Sequence, residues 1–221
     1  MITANFIHRI FRIKCGDSVG TGFVVDVDGK QYLVTAKHVI QAFDTTVGLE
    51  VFSNDVWVPV PANLVAHGEG GVDISVLAPS SAMTPPNLPV IVGSDGVVYG
   101  QDVYFLGFPY GVLSNVVFGS SGHPLPLVKK ALLSSFAGDA FLLDGHNNPG
   151  FSGGPVIFGR GGAPNCIAAV ISGYRFSPEP VFLEQDKTEL TYRQNTGIII
   201  AYKIEFALAL IRANPIGPAI T

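Results

Sequence analysis

Apolar and polar residues alternate along much of the chain with a period of two, the spacing that turns one face of a β-strand into a core and the other toward water. Residues 9–14 (Arg-Ile-Phe-Arg-Ile-Lys) alternate in this way. Residues 21–26, 31–35, 47–52 and 56–60 form β-branched and aromatic runs of strand length. Asp26-Val27-Asp28-Gly29 and Ser53-Asn54-Asp55 fall between consecutive runs and predict tight hairpins. Asp73-Ile74-Ser75-Val76-Leu77 reads as a short buried strand closing the first half. Four prolines within 79–89 then predict an extended crossing segment without regular structure. Strands resume at 102–107, 115–119, 127–134, 140–143, 155–158, 166–172 and 197–201, and the polar, proline-marked interval 177–196 reads as a long loop or hairpin. Residues 203–212 alone carry a convincing helical period: Ile204, Leu208 and Ile211 share a face, and Asn214-Pro215 stops it. The pattern predicts two β-rich halves and one terminal helix.

Composition agrees with that picture. The 221 residues are 48% hydrophobic and 14% charged, with 26 Gly and 16 Pro, a mix suited to short strands and many turns. Length allows a sizeable core in one domain or two small ones. The formal charge is −4, with no basic run and no aromatic–basic interleaving, so nucleic acid is not an expected partner. His8, Arg9, Arg12 and Lys14 break up the apolar N-terminal residues, which argues against a secretory core. No stretch reaches the roughly 18 uncharged apolar residues that span a bilayer. A cytoplasmic protein that does not engage a membrane is the expectation. Cys15 and Cys166 cannot frame a disulfide scaffold and are expected as free thiols.

The densest chemistry lies in Asn147-Asn148-Pro149-Gly150-Phe151-Ser152-Gly153-Gly154-Pro155. A serine hydroxyl becomes a useful nucleophile when a base reaches it and backbone N–H groups can receive charge on the carbonyl it attacks. Gly150 lets the chain turn so that its N–H and that of Ser152 can share one hollow; without a base, the same run is a glycine-rich turn. His38, just past the apolar strand 31–35, is the best-placed base, and His67 in a glycine-rich loop is its rival. Asp73 falls between Gly70-Gly71-Val72 and the buried run 74–77. A carboxylate entering so apolar a setting needs a partner, and an imidazole N–H is a suitable one. His38, Asp73 and Ser152 follow the order His…Asp…Ser, which differs from the orders in α/β-hydrolases and subtilisins.

Several segments resemble those of trypsin-like serine peptidases of the chymotrypsin fold, most closely the protease domain of the HtrA/DegP group. Gly20-Thr21-Gly22-Phe23 resembles a GSGF strand, Thr35-Ala36-Lys37-His38-Val39 a T-x-x-H-V motif, and residues 73–77 a DIAVL strand. Residues 100–111 follow G-x-x-V-x-x-x-G-x-P-x-G, and residues 150–155 resemble GNSGGP. Residues 197–202 and the helix after them resemble the last strand and helix of the group. Phe151 departs from the usual Asn or Asp before the serine, and the chain leaves no room for a PDZ domain of roughly 100 residues.

The resemblance implies an all-β domain over 1–221, with two six-stranded antiparallel barrels (1–78 and 98–202), a crossing segment (79–97) and a C-terminal helix (203–213). It implies a serine endopeptidase acting on polypeptides through an acyl-enzyme, with His38, Asp73 and Ser152 catalytic and the N–H groups of Gly150 and Ser152 as the oxyanion hole. It also aligns Ser172 with a serine that supports the triad aspartate. His146, Ser172, Gly173, Tyr174, Gly197 and Ile198 would wall a pocket for a small or apolar P1 side chain, while His146 leaves a polar or acidic one open. No cofactor or metal is implied. Monomer and homo-oligomer both stay open, trimers being common in that group. The alternative is a catalytically silent or partner-activated peptide-binding protein on the same fold.

Overall fold

The computed structural model describes residues 2–44, 46–113 and 122–220, so the expected strand 115–119 lies outside the described residues. A short helix α1 (Ala4–Ile7), which the sequence pattern does not announce, precedes seven strands: β1 (Ile10–Cys15), β2 (Ser18–Val27), β3 (Lys30–Thr35), β4 (Leu49–Ser53), β5 (Val56–Val60), β6 (Ala62–His67) and β7 (Ser75–Pro79). They pair in the order β5-β4-β1-β2-β3-β7-β6. The sheet's two end strands, β5 and β6, are consecutive in the chain with Pro61 alone between them, so the sheet curls back on itself. The two-residue turns Asp28-Gly29 and Asn54-Asp55 have positive φ throughout (49°, 74°, 48° and 62°). That geometry matches the right-handed twist of the flanking strands and sets the β2–β3 and β4–β5 registers.

The second half contributes β8 (Ile91–Val92), β9 (Asp102–Gly107), β10 (Leu127–Ala137), β11 (Ala140–Asp144), β12 (Pro155–Arg160), β13 (Ala163–Leu183) and β14 (Asp186–Lys203). Here β12 pairs with both β9 and β13, which closes the ring β9-β10-β11-β14-β13-β12 into a six-stranded antiparallel barrel. The two-barrel fold with a C-terminal helix stands as expected. Each sheet nevertheless counts seven strands rather than six. In the first, β6 is an edge strand with little buried surface and so little alternation to read. In the second, two residues of the crossing segment form β8, parallel to β13. The interval 177–196 is a hairpin, with β13 and β14 running on together as a long two-stranded arm.

Three apolar cores result. One fills each barrel, and the third lies between them, where Phe23, Val34 and Val76 of the first sheet meet Leu106, Ile157 and Val170 of the second. Helix α2 (Glu205–Ala213) closes this third core with Ile204, Ala207 and Ile211. Side chains rather than a ladder hold most of the crossing segment: buried Arg9 donates from Nε to Leu88 O (2.8 Å) and pairs with Asp26 (2.5 Å). Burying this guanidinium is tolerable because it is paired and hydrogen-bonded. No helix among the described residues is long and apolar enough to cross a membrane. The packing leaves a line between the barrels where loops from both halves meet.

Candidate active site

His38 and Asp73 reach that line from the first barrel. His38 lies in the 3-10 turn Lys37–Ile40 directly after β3, and Asp73 ends the loop before β7. Strands β3 and β7 are neighbours in the sheet, Thr35 opposite Ser75, so the two residues leave adjacent strand ends. Asp73 Oδ2 accepts from His38 Nδ1 at 2.7 Å and from Ser172 Oγ at 2.6 Å, while Oδ1 accepts from the His38 backbone N–H at 2.9 Å. Burial pushes the carboxyl toward its neutral form, but the hydrogen bonds from His38 and Ser172 outweigh it and hold Asp73 below the usual carboxylate range. An imidazole held this way keeps its proton on Nδ1 and presents Nε2 as a base.

Ser152 comes from the second barrel, in the loop between β11 and β12. Its Oγ donates to the Ser172 carbonyl at 3.1 Å. The hydroxyl's one proton is therefore engaged by β13 and must change acceptor before it can pass to an imidazole. Glycine is required on both sides. Gly153 has φ +84°, and a Cβ there would stand 2.1 Å from Thr21 O. Gly150 has φ +104°, and a Cβ there would stand 2.3 Å from Phe108 O. Both close approaches exclude a side chain.

The loop backbone is oriented peptide by peptide. Pro149 O accepts from Tyr110 N (2.9 Å), Gly150 O from Thr21 Oγ1 (2.7 Å) and Phe151 O from Gly154 N (2.8 Å). In a trans peptide the N–H points opposite to its C=O. The N–H groups of Gly150 and Ser152 are thus turned away from these partners, and among the described residues neither has an acceptor. Two unpaired donors flanking a serine can receive a developing anionic oxygen.

Of the other expected site residues, His146 belongs to the same loop and its side chain is exposed. The loop abuts β14 through Gly145 N to Gly197 O (2.9 Å) and Asn195 Nδ2 to Asn147 O (2.7 Å). Gly173 and Tyr174 lie on β13 opposite Ile200 and Ile199, beside Ile198, which is 39% exposed. These three segments are neighbours. The rival His67 makes its hydrogen bond to Ser75 Oγ (2.6 Å), not to Asp73 or Ser152; burial and the nearby Lys37 lower its pKa. Cys15 and Cys166 are both buried. Among the described residues no group of three or more His, Cys, Asp or Glu side chains could hold a metal.

Thr21 and Tyr110 were not singled out for any role by the sequence. Thr21 Oγ1 accepts from Phe108 N (3.2 Å) while donating to Gly150 O, and its backbone N–H donates to Ser152 O (2.8 Å). A hydroxyl residue between Gly20 and Gly22 in a strand was the available signal. The model for the trypsin-like peptidase domain matches residues 20–163. The chain belongs to that family and is a serine-type endopeptidase by membership.

Solved structures agree on the fold. The active form of the Rv3671c protease from M. tuberculosis aligns over 99% of this chain and 88% of its own, with TM-score 0.63 and 18% identity. A serine endoprotease from Yersinia pestis aligns over 96% and 68% (TM-score 0.61, 20% identity). The HtrA-type protease AlgW with a tripeptide aligns over 95% and 61% (TM-score 0.59, 20% identity).

One prediction belongs to this geometry. Ser172→Ala removes a hydrogen bond to a charged group, so kcat/KM on a peptide substrate is expected to fall by about one order of magnitude. It also relaxes the Asp73 pKa upward. A depressed carboxyl contributes stability that is complete above its unfolded pKa and is lost as pH falls through the folded pKa. Weakening the depression shrinks that contribution. The acid-unfolding midpoint of Ser172→Ala, followed by Trp57 fluorescence, is expected to move to higher pH.

Proposed function

We propose that the protein hydrolyses peptide bonds through an acyl-enzyme formed on Ser152. Ser152 Oγ bonds to the substrate carbonyl carbon as its proton passes to His38 Nε2. The N–H groups of Gly150 and Ser152 receive the oxyanion, and one such donor is worth about 3 kcal/mol of barrier. Collapse breaks the C–N bond as His38 protonates the leaving amine, and water then releases the acyl group by the same route in reverse. Asp73, with Ser172 behind it, keeps the imidazole in the working tautomer and stabilises its charged form. The observation that carries this reading is the pairing of Asp73 with both His38, from its own barrel, and Ser172, on β13 of the other.

The expected pocket residues His146, Ser172, Gly173, Tyr174, Gly197 and Ile198 carry no carboxylate of their own, which favours a small or apolar P1 side chain; His146 supports a weaker polar or acidic alternative. The silent peptide-binding reading draws on the Ser152 hydroxyl, bonded to Ser172 O rather than to His38. A tripeptide bound to HtrA-type AlgW supports a polypeptide ligand under either reading. Incubation with casein and with a P1-varied peptide library separates them. Cleavage with Ala, Val or Leu at P1 favoured over Lys or Arg by about tenfold or more is expected. Binding without cleavage supports the silent reading, and a preference for Lys or Arg contradicts the proposed pocket.

A further inference from the structure

Phe151 occupies the place of the Asn or Asp expected before the serine, and its ring is fully buried, edge-on to Phe105 at 4.8 Å. An apolar anchor fixes one end of the loop but offers nothing polar to the peptides before it. Those residues, Gly145 to Pro149, belong to no strand. Their carbonyls need partners if the Gly150 N–H is to keep its direction.

Lys129 supplies one from beneath. It lies opposite Phe105 in the β9–β10 ladder, so its side chain rises beside the ring on which Phe151 packs. Its Nζ donates to the His146 carbonyl and to Asn148 Oδ1 (3.2 Å), and stands 5.8 Å from the centre of the Phe151 ring. Asn148 passes the contact on, donating from Nδ2 to Tyr110 Oη at 3.4 Å, and the Tyr110 N–H holds Pro149 O. Partial burial lowers the pKa of this amine, in keeping with a group drawn out of water. The next residue behaves differently: Lys130 is exposed and pairs with Asp102 at 2.7 Å.

We propose that Lys129 is a positioning residue, its ammonium clamping the 146–149 backbone so that the Gly150 N–H stays directed at the oxyanion. The proposal rests on the reading of that N–H as an oxyanion donor. It assigns the lysine no contact with substrate and no part in proton transfer.

Hydrogen exchange and kinetics on Lys129→Met, Lys129→Arg and Lys130→Met test it together. Amides in a peptide spanning residues 144–152 are expected to exchange faster in Lys129→Met and as in wild type in Lys130→Met. A misplaced donor costs transition-state binding rather than ground-state binding, so kcat should fall about 100-fold in Lys129→Met while KM stays within about twofold. Lys129→Arg, which keeps charge and donors, should recover much of the loss. Unchanged exchange at 144–152 overturns the clamp. So does faster exchange throughout the second barrel with a lowered Tm, which marks a general packing role, or a raised KM at constant kcat, which marks a pocket role. A folded wild type without turnover counts against the peptidase reading, and the exchange comparison still decides whether Lys129 holds the loop.

Discussion

Ser152→Ala is expected to lower kcat/KM by about 10⁶, the scale of losing a nucleophile from a triad that acts as a unit. The size follows from what stays behind. The N–H groups of Gly150 and Ser152 belong to the backbone and survive the substitution, so the residual rate reflects oxyanion and substrate binding alone. The fold should be nearly untouched: the hydroxyl makes one hydrogen bond, to the Ser172 carbonyl, and losing it costs about 1 kcal/mol. Parallel thermal melts and peptide kinetics check both halves. A loss of only tenfold would point to a different nucleophile.

Asp73→Asn is expected to lower kcat/KM by about 10⁴, the magnitude seen when a triad aspartate becomes its amide. Three donors converge on this carboxylate: the His38 backbone N–H, His38 Nδ1 and Ser172 Oγ. An asparagine has a single acceptor oxygen, so its NH₂ must face at least one donor. The repulsion is relieved most easily by moving the imidazole proton to Nε2, which leaves Nδ1 to accept from the amide. Nε2, the base of the proposed mechanism, then carries a proton and cannot take another. Kinetics of Asp73→Asn over a range of pH, beside Asp73→Ala, check this. Activity within tenfold of wild type would remove Asp73 from the mechanism.

The three residues of that reading were legible because each sits in a short stretch whose local pattern is informative: a strand end for His38, a glycine-flanked strand entry for Asp73, a glycine-rich turn for Ser152. Of the groups that orient them, Ser172 was reached through the family resemblance; those that fix the Ser152 loop were not legible. Thr21 meets Gly150 across 129 residues of sequence, and no local pattern encodes that contact. Lys129 sits beside Lys130 in an alternating strand, where charge reads as a solvated face, yet only Lys130 is exposed. Nor could the sequence reveal how the loop peptides turn, since Tyr110 and Thr21 set two of them from distant segments and only the Gly154–Phe151 bond is local.

In the fold, strong alternation and turn residues made most strands readable, while β6 and β8 escaped because an edge strand and a two-residue pairing bury little. The arm shows the opposite bias. Pro178 and Pro180 argue against a strand there, but β13 carries them beyond its contacts with β12, where one edge has no strand partner among the described residues and a missing donor is tolerated.

The central claim is that Ser152 is an activated nucleophile, and a fluorophosphonate probe tests it most directly. Labelling of the intact chain followed by peptide mapping is predicted to place one adduct on Ser152, absent from Ser152→Ala and formed far more slowly in Asp73→Asn. A folded wild-type protein that takes no label, or one labelled equally well without Ser152, would contradict it.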